Sequence, residues 1–380
     1  MAEIGVALRM EGVSKRYPGT LAVDHVDFTV HAGEVHALVG ENGAGKTTLM
    51  KVLAGAFDDY TGGTFINDKP VRLDSPAAAK SVGIEMIHQE LSLAPPLSIA
   101  ENVLAGRLPR RFGLLDRKRM LRETRQWLSQ VGLDLDPALA VEEISQHEAQ
   151  LVEIAKAMGN RPCILVMDEP TSSLSRQEVS RLFEIIRRLR RRGLAIVYIS
   201  HHLSEIFEVA DRVTVMRDGR RVATEQIRDV TSARLAEMMV GRSVSNLYAQ
   251  RKSAPGPVKL RVEGLSRWGF FHGVSFDVRE GEVLGLAGLS GAGRSELARS
   301  LCGIDPVDAG RVHLDGRRIR PASYRAAIKA GLAYLPEDRK QQGLAARLTM
   351  GENALSALIP RHCRAGVYFA GRAKGLLGKL

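Results

Sequence analysis

The segment Gly40–Thr48, GENGAGKTT, has the residue types and spacing of a phosphate cradle. Gly40, Gly45, Lys46 and Thr47 fit G-x-x-x-x-G-K-[ST], and Glu41, Asn42, Gly43, Ala44 and Thr48 complete the loop. Glycines let a backbone wrap around phosphate oxygens with its N–H groups turned inward. A helix starting directly behind the loop points the positive end of its dipole at the same anion. In this pattern the Lys46 ammonium reaches the β- and γ-phosphates and the Thr47 hydroxyl goes to Mg²⁺, so the implied ligands are ATP and Mg²⁺. A second constellation is Ile164–Glu169, ILVMDE, in which four apolar residues precede two carboxylates. At the end of a strand in an open α/β sheet, Asp168 would hold Mg²⁺ and Glu169 would polarise an attacking water. Such a pair alone reads as a helix N-cap; the upstream loop reverses that reading. Tyr17 precedes the loop and could stack on an adenine ring, the alternative being a half-buried strand aromatic. Gln89 follows the apolar run IEMI and could contact Mg²⁺ and water. His201 follows AIVYIS and could contact a γ-phosphate, with His202 as the competing neighbour.

These residues need elements to hold them. Val35–Val39 reads as a buried strand running into the glycine-rich turn, and Thr47–Leu53 opens a helix. Ile164–Met167 and Ala195–Ile199 are further buried-strand runs. Residues 116–131 form an amphipathic helical pattern with Met120, Trp127, Leu128 and Val131 roughly on one face. The expected fold class is α/β.

A length of 380 residues suits about two domains. No apolar run approaches the ~20 residues of a membrane-spanning helix, and MAEIGVALRMEG lacks the features of a signal peptide, so a cytoplasmic location is expected. Cys163, Cys302 and Cys363 are far apart and odd in number, which supports isolated thiols rather than disulfides or a zinc site. The net charge of +11 permits a polyanionic partner. The densest basic run, Arg187–Arg192, follows a helical pattern and reads as a solvated helix end, where cations suit the dipole.

An internal repeat organises the chain. LRMEGVSK (8–15) returns as LRVEGLSR (260–267), and EVHALVGENGAGKTTL (34–49) as EVLGLAGLSGAGRSEL (282–297). VGIEMIHQE (82–90) returns as AGLAYLPED (330–338). The segment YAQRKSAPGPV, rich in proline and polar residues, separates the copies. The expected organisation is a complete domain over 1–247, a linker over 248–257 and a second, incomplete domain over 258–380.

Residues 5–245 resemble a nucleotide-binding domain of ABC transporters, through the phosphate loop, Gln89, ISQHEAQLVEIAKA (144–157), MDEPTSSLS (167–175) and SHHL (200–203). Two such halves, with HQELSL, VEIAKA, MMVGR, GLSGAGRSEL and YLPEDRK, are similar to the monosaccharide-importer branch of the ribose, galactose and xylose type. The resemblance implies a RecA-like P-loop NTPase core with an antiparallel β subdomain and a helical subdomain near 92–160, duplicated. It makes Tyr17 the adenine-stacking residue and Gln89 the link to a membrane partner. It makes Glu169 the catalytic carboxylate, His201 the γ-phosphate switch, and Ser172–Ser175 the loop that touches an opposing half. It implies an ATPase that drives sugar uptake through separate transmembrane permease subunits, fed by a periplasmic sugar-binding protein. Such a chain is peripheral to the cytoplasmic face of the inner membrane, with no nucleic-acid partner.

Two departures stand out. Family members close head to tail, with ATP between one half's phosphate loop and the other's LSGGQ-type segment. Here that segment reads Ile144, Ser145, Gln146, His147, Glu148, and His147 stands where a small residue is usual. In the second loop, Gly288, Gly293 and Ser295 are kept but Arg294 replaces the lysine, and its planar fork is not equivalent to an ammonium. Both oddities fall on one composite site, which is expected to be degenerate while the other hydrolyses. Glu337 takes the place of Gln89 in the second copy, and the spacing of the first copy puts the second signature and strand-end carboxylates beyond Leu380. The isolated chain is therefore expected to bind ATP but hydrolyse it weakly unless a partner supplies the missing parts. Two other readings are an ABC ATPase acting on ribosomes or DNA, and a non-hydrolysing remnant of a longer gene.

Overall fold

The computed structural model describes residues 5–88, 91–171, 174–241, 255–288, 291–320, 323–336 and 342–356, with the backbone of 363–364 and 367–368. The chain divides into two compact units, Met1–Ala249 and Gln250–Leu380. Most of the expected linker, 248–257, lies outside the described residues.

In the first unit the order is β1 (Val6–Tyr17), β2 (Thr20–His31), β3 (Val35–Val39), α1 (Lys46–Leu53), β4 (Tyr60–Ile66), β5 (Lys69–Val71), α2 (Pro76–Ser81) and β6 (Ile84–Ile87). Then follow α3 (Ile99–Val103), β7 (Arg110–Arg111), β8 (Leu114–Leu115), α4 (Arg117–Gln130), α5 (Gln146–Met158), β9 (Ile164–Asp168) and α6 (Arg176–Arg191). The last elements are β10 (Ala195–Ile199), α7 (Leu203–Val209), β11 (Arg212–Arg217), β12 (Arg220–Gln226) and α8 (Ser232–Val240).

One sheet has the order β2-β1-β4-β5 and is antiparallel; the other has the order β12-β11-β3-β10-β9-β6 and is parallel except at β12. The strands β3, β9 and β10 are buried on both faces and, His36 and Asp168 apart, apolar, because both faces are covered. Val35, Ala37, Val39, Leu165, Met167, Ile196 and Tyr198 join a core with the helices α3 to α8. Leu38, Ile164, Val166, Ala195, Val197 and Ile199 join a second core with α1 and the antiparallel sheet. The alternation follows from side chains on a strand pointing to opposite faces in turn. Strands β3 and β10 match the sequence-based bounds, and β9 runs one residue further, to Asp168.

The amphipathic pattern of 116–131 becomes α4, capped by Asp116, whose side chain accepts the Arg119 N–H at 3.0 Å. Met120 and Leu128 are buried, Val131 lies just past the helix, and Trp127 packs against them. Together α3, α4 and α5 build the helical subdomain expected near 92–160. The basic run forms the end of α6, where Arg187 pairs with Glu208 and Arg190 with Asp211.

The second unit repeats the opening. Strands β13 (Val258–Arg267), β14 (Phe271–Arg279), β15 (Ala309–Leu314) and β16 (Arg317–Ile319) form an antiparallel sheet of order β14-β13-β15-β16, the counterpart of the first. Helix α9 (Arg294–Leu301) buries Leu297 against Val262, Leu265 and Val312. The helices α10 (Tyr324–Ala330) and α11 (Met350–Ser356) and the short strands β17 (Cys363–Arg364) and β18 (Val367–Tyr368) follow. In the first unit β3 is held between β10 and β11; its counterpart at 282–288 has no strand beside it among the described residues, and Val283 is 93% exposed.

Candidate functional site

The parallel sheet gathers the predicted residues at one edge. Ile199 pairs with both Leu38 and Asp168 in parallel register, so β3, β10 and β9 end side by side. The loop after β3 is Gly40–Gly45, the residue after β9 is Glu169, and His201 stands two residues after β10. Together they line one cavity of about 910 Å³, with Gly40, Lys46, Thr47, Asp168, Glu169 and His201 on its wall. Ala22 and Met239 also line it. Ala22 was not singled out from the sequence, and Met239 entered only within MMVGR with no role at the site, because neither carries a chemical signature and both come from distant parts of the chain.

Loop geometry explains the glycines. Gly45 caps α1 at φ 95° and Gly40 sits at φ 155°. A Cβ on Gly45 would lie 2.4 Å from the Ala22 carbonyl oxygen, and one on Gly40 would lie 2.2 Å from that of Met216. Replacing Gly45 with alanine adds backbone strain to an overlap with main chain, and is expected to cost about 2–4 kcal/mol. Urea unfolding of the full chain would check this, with nucleotide affinity falling alongside because the loop cannot close.

Lys46 is only 7% exposed and donates from Nζ to the carbonyl oxygens of Gly40 at 2.7 Å and Glu41 at 3.0 Å. Burial lowers its pKa from the usual lysine range, while Glu169 and Asp168 oppose that shift. Asp168 is also 7% exposed. Burial pushes its carboxyl up, and neighbouring Glu169 adds to the shift, while His88, Lys46 and Lys51 pull it back. Among the described residues Asp168 forms no ion pair. A buried carboxylate beside a second carboxylate is stabilised by a bound cation, and Thr47 lines the same wall. The residues present therefore fit Mg²⁺.

Glu169 follows the last ladder bond, in which its N–H donates to the Ile199 carbonyl at 2.9 Å. Its φ of 49° puts a non-glycine residue in the left-handed region, the kind of strain that concentrates at working sites. Its Oε1 lies 3.1 Å from Nδ1 of His201, and the His202 ring is tilted against His201 with centroids 4.1 Å apart. Of the two histidines, His201 is the one that meets the carboxylate and the cavity.

Other predicted residues lie elsewhere. The Tyr17 ring packs edge-on to Phe57 at 5.8 Å, with the buried Lys15 ammonium 5.3 Å from its centroid, and does not line the cavity. Gln89, Ser172 and Ser173 lie outside the described residues. Ser145 caps α5 in a reciprocal box: its hydroxyl donates to Glu148 Oε2 at 2.7 Å, its N–H donates to the same oxygen at 2.8 Å, and the Glu148 N–H returns to Ser145 Oγ at 3.3 Å. These bonds hold the Glu148 carboxyl below the usual range. Gln146 opens the helix. His147 lines a separate cavity of about 390 Å³ with Leu133, Leu151, Arg181, Glu184 and Ile185, and its buried Nδ1 has no hydrogen-bond partner. In the second unit Gly293 caps α9 at φ 81°, as Gly45 caps α1, and α9 begins at Arg294. A Cβ on Gly288 would press on Ala292 Cβ at 3.1 Å. Ser295 and Glu296 line a cavity of about 590 Å³, and Glu296 stands where the first loop has Thr48.

A glycine-rich loop closing onto a helix, two carboxylates at the end of the next strand but one, and a histidine just past the strand between them define a P-loop nucleoside-triphosphate-binding protein. The ABC transporter family model matches residues 23–172 and again 271–377, more than half of the chain. The chain belongs to the ABC transporter family. It is 45% identical over 379 residues to a putative ribose/galactose/methyl galactoside import ATP-binding protein of Agrobacterium fabrum, covering 100% of this chain and 76% of that protein. It is 46% identical over 363 residues to ribose import ATP-binding protein RbsA 1 of Rubrobacter xylanophilus, covering 95% and 72%. Among solved structures, a nucleotide-free ATP-binding cassette from an ABC transporter superposes with TM-score 0.56 at 22% identity, over 65% of this chain and 100% of that one. The ADP conformation of another cassette gives TM-score 0.54 at 24% identity, over 62% and 99%. These likenesses establish the fold.

Proposed function

We propose that this chain is the ATP-binding and ATP-hydrolysing subunit of an importer for a monosaccharide. The convergence of Lys46, Asp168, Glu169 and His201 on one cavity supports the chemistry. The similarity to sugar-import ATP-binding proteins along the whole chain supports the cargo class. Lys46 exchanges its two carbonyl partners for β- and γ-phosphate oxygens. Thr47, Asp168 and Gln89 would hold Mg²⁺, which would supply charge neutralisation to the phosphates. Glu169 takes the proton of the attacking water as the water oxygen bonds to γ-phosphorus, and the bond to the ADP oxygen breaks. His201, oriented by Glu169, donates to the γ-phosphate.

No described helix is long and apolar enough to cross a membrane. We assign passage of the solute to separate permease subunits, with this chain peripheral on the cytoplasmic face and a periplasmic sugar-binding protein delivering the cargo. Removing the gene from its host should lower uptake of one labelled monosaccharide at least tenfold. The intact gene should restore it, and a copy with Lys46→Ala should not. Unchanged uptake of ribose, galactose and xylose alike would overturn the assignment of cargo.

A further inference from the structure

Glu205 lies in the first turn of α7, four residues after His201, within the segment YISHHLSEIFEVADRVTVMRDG (198–219), and the sequence assigns it no role. Its carboxylate collects hydroxyls from three places. The Tyr198 hydroxyl, from β10, donates to Oε2 at 2.8 Å. The Ser200 hydroxyl, from the step between β10 and His201, donates to Oε2 at 2.9 Å. The Thr171 hydroxyl, from the turn behind Asp168 and Glu169, lies 2.9 Å from both oxygens. Ser200 Oγ in turn accepts the His202 N–H at 3.0 Å. Tyr198, Ser200 and Thr171 are all buried. Burial, with the neighbouring Glu205 charge, pushes the Tyr198 phenol well up, so its proton remains available to donate.

Past the bond from Glu169 to Ile199 the β9–β10 ladder ends, and the two chains diverge into loops. Among the described residues, the side-chain links that join them include two that matter here. One is the contact between His201 and Glu169, with His201 half exposed. The other is the buried set on Glu205. Hydrogen bonds to an ionised acceptor are roughly twice as strong as neutral ones. A buried hydroxyl that loses such a partner also pays its desolvation penalty.

We propose that Glu205 is a positioning residue that binds the turn behind Glu169 to the strand end behind His201. The two loops then move as one body when phosphate arrives or leaves. The proposal rests on the hydrolytic reading above for its purpose, and on the three hydroxyl contacts for its geometry. Glu205 touches no reacting atom; it acts through Thr171 on one loop and through Ser200 on the other.

The test is amide hydrogen exchange on the full chain, with Glu205→Gln as the main variant. Glutamine keeps the size but has a single acceptor oxygen and an amide that donates, so it cannot serve three hydroxyl donors. Without nucleotide, exchange should quicken at least tenfold at 170–176 and 200–203, with β3 and α1 unchanged. With ATP, the parent should slow both segments and the variant should slow only 200–203. Phosphate release should fall at least tenfold in kcat, with KM and ATP affinity within about twofold. Thr171→Val should reproduce the loss of response at 170–176 alone, and it carries the test if the glutamine variant does not fold. Both segments responding as in the parent, or kcat falling only in step with ATP affinity, would overturn the proposal. A parent chain that binds no ATP would defeat the functional reading instead, and the nucleotide-free exchange would still decide this one.

Discussion

Glu169→Gln is expected to bind ATP with affinity within about twofold of the parent and to release phosphate about 10²–10⁴-fold more slowly, the usual contribution of a positioned general base. Glutamine has the same shape, so the turn at φ 49° is no more strained than before. Its amide can also keep the contact now spanning 3.1 Å to His201. What it cannot do is accept a proton at neutral pH. The loss should therefore sit in the chemical step alone. Single-turnover phosphate release beside calorimetric ATP binding separates the two. A variant that hydrolyses at the parent rate would remove Glu169 from the role and leave the cavity without a base.

Lys46→Ala is expected to weaken ATP binding at least about 100-fold, equivalent to about 2.7 kcal/mol. The ammonium lies inside the loop, on the Gly40 and Glu41 carbonyls, at the point where the pattern puts the phosphates. The anion loses a buried positive charge, which counts for more there than at a surface. The parent holds this lysine at a cost, since burial disfavours its charge. The nucleotide-free variant should therefore melt within a few degrees of the parent, which rules out unfolding as the reason for lost affinity. Lys46→Arg, which copies the residue of the second loop, should fall between the two, because a guanidinium fork fits bidentate partners rather than a compact loop. Calorimetric titration of all three chains with ATP would check the order.

Several parts of the site were legible because their information is contiguous. A strand, a glycine turn and a helix sit in one run of residues from Val35 to Leu53, and the spacing of Gly40, Gly45, Lys46 and Thr47 is chemistry by itself. The same holds for Ile164–Glu169, where a buried strand ends in two carboxylates. The duplication was readable as repeated words, and the second antiparallel sheet repeats the first strand for strand. The environment of a side chain was not readable in this way. Tyr17 has the position of a stacking residue in the sequence, but its ring rests on Phe57 beneath Lys15. His147 sits in the signature segment, yet its ring lies in a cavity with Arg181 and Glu184 of α6. The role of Glu205 was invisible because its three partners mean nothing until two strand ends lie side by side.

From the order of residues alone came the P-loop, the strand-end carboxylates, the buried strands, the repeat and the α/β class. All of these depend on neighbours within about one element, where backbone geometry and hydrophobic period act directly. Only the tertiary structure decided that β10 lies between β3 and β9. That order brings His201 to Glu169, brings both to Lys46, and hands Glu205 its three hydroxyls. Strand order is set by which apolar faces cover one another across the whole unit, and no local spacing along the chain encodes it.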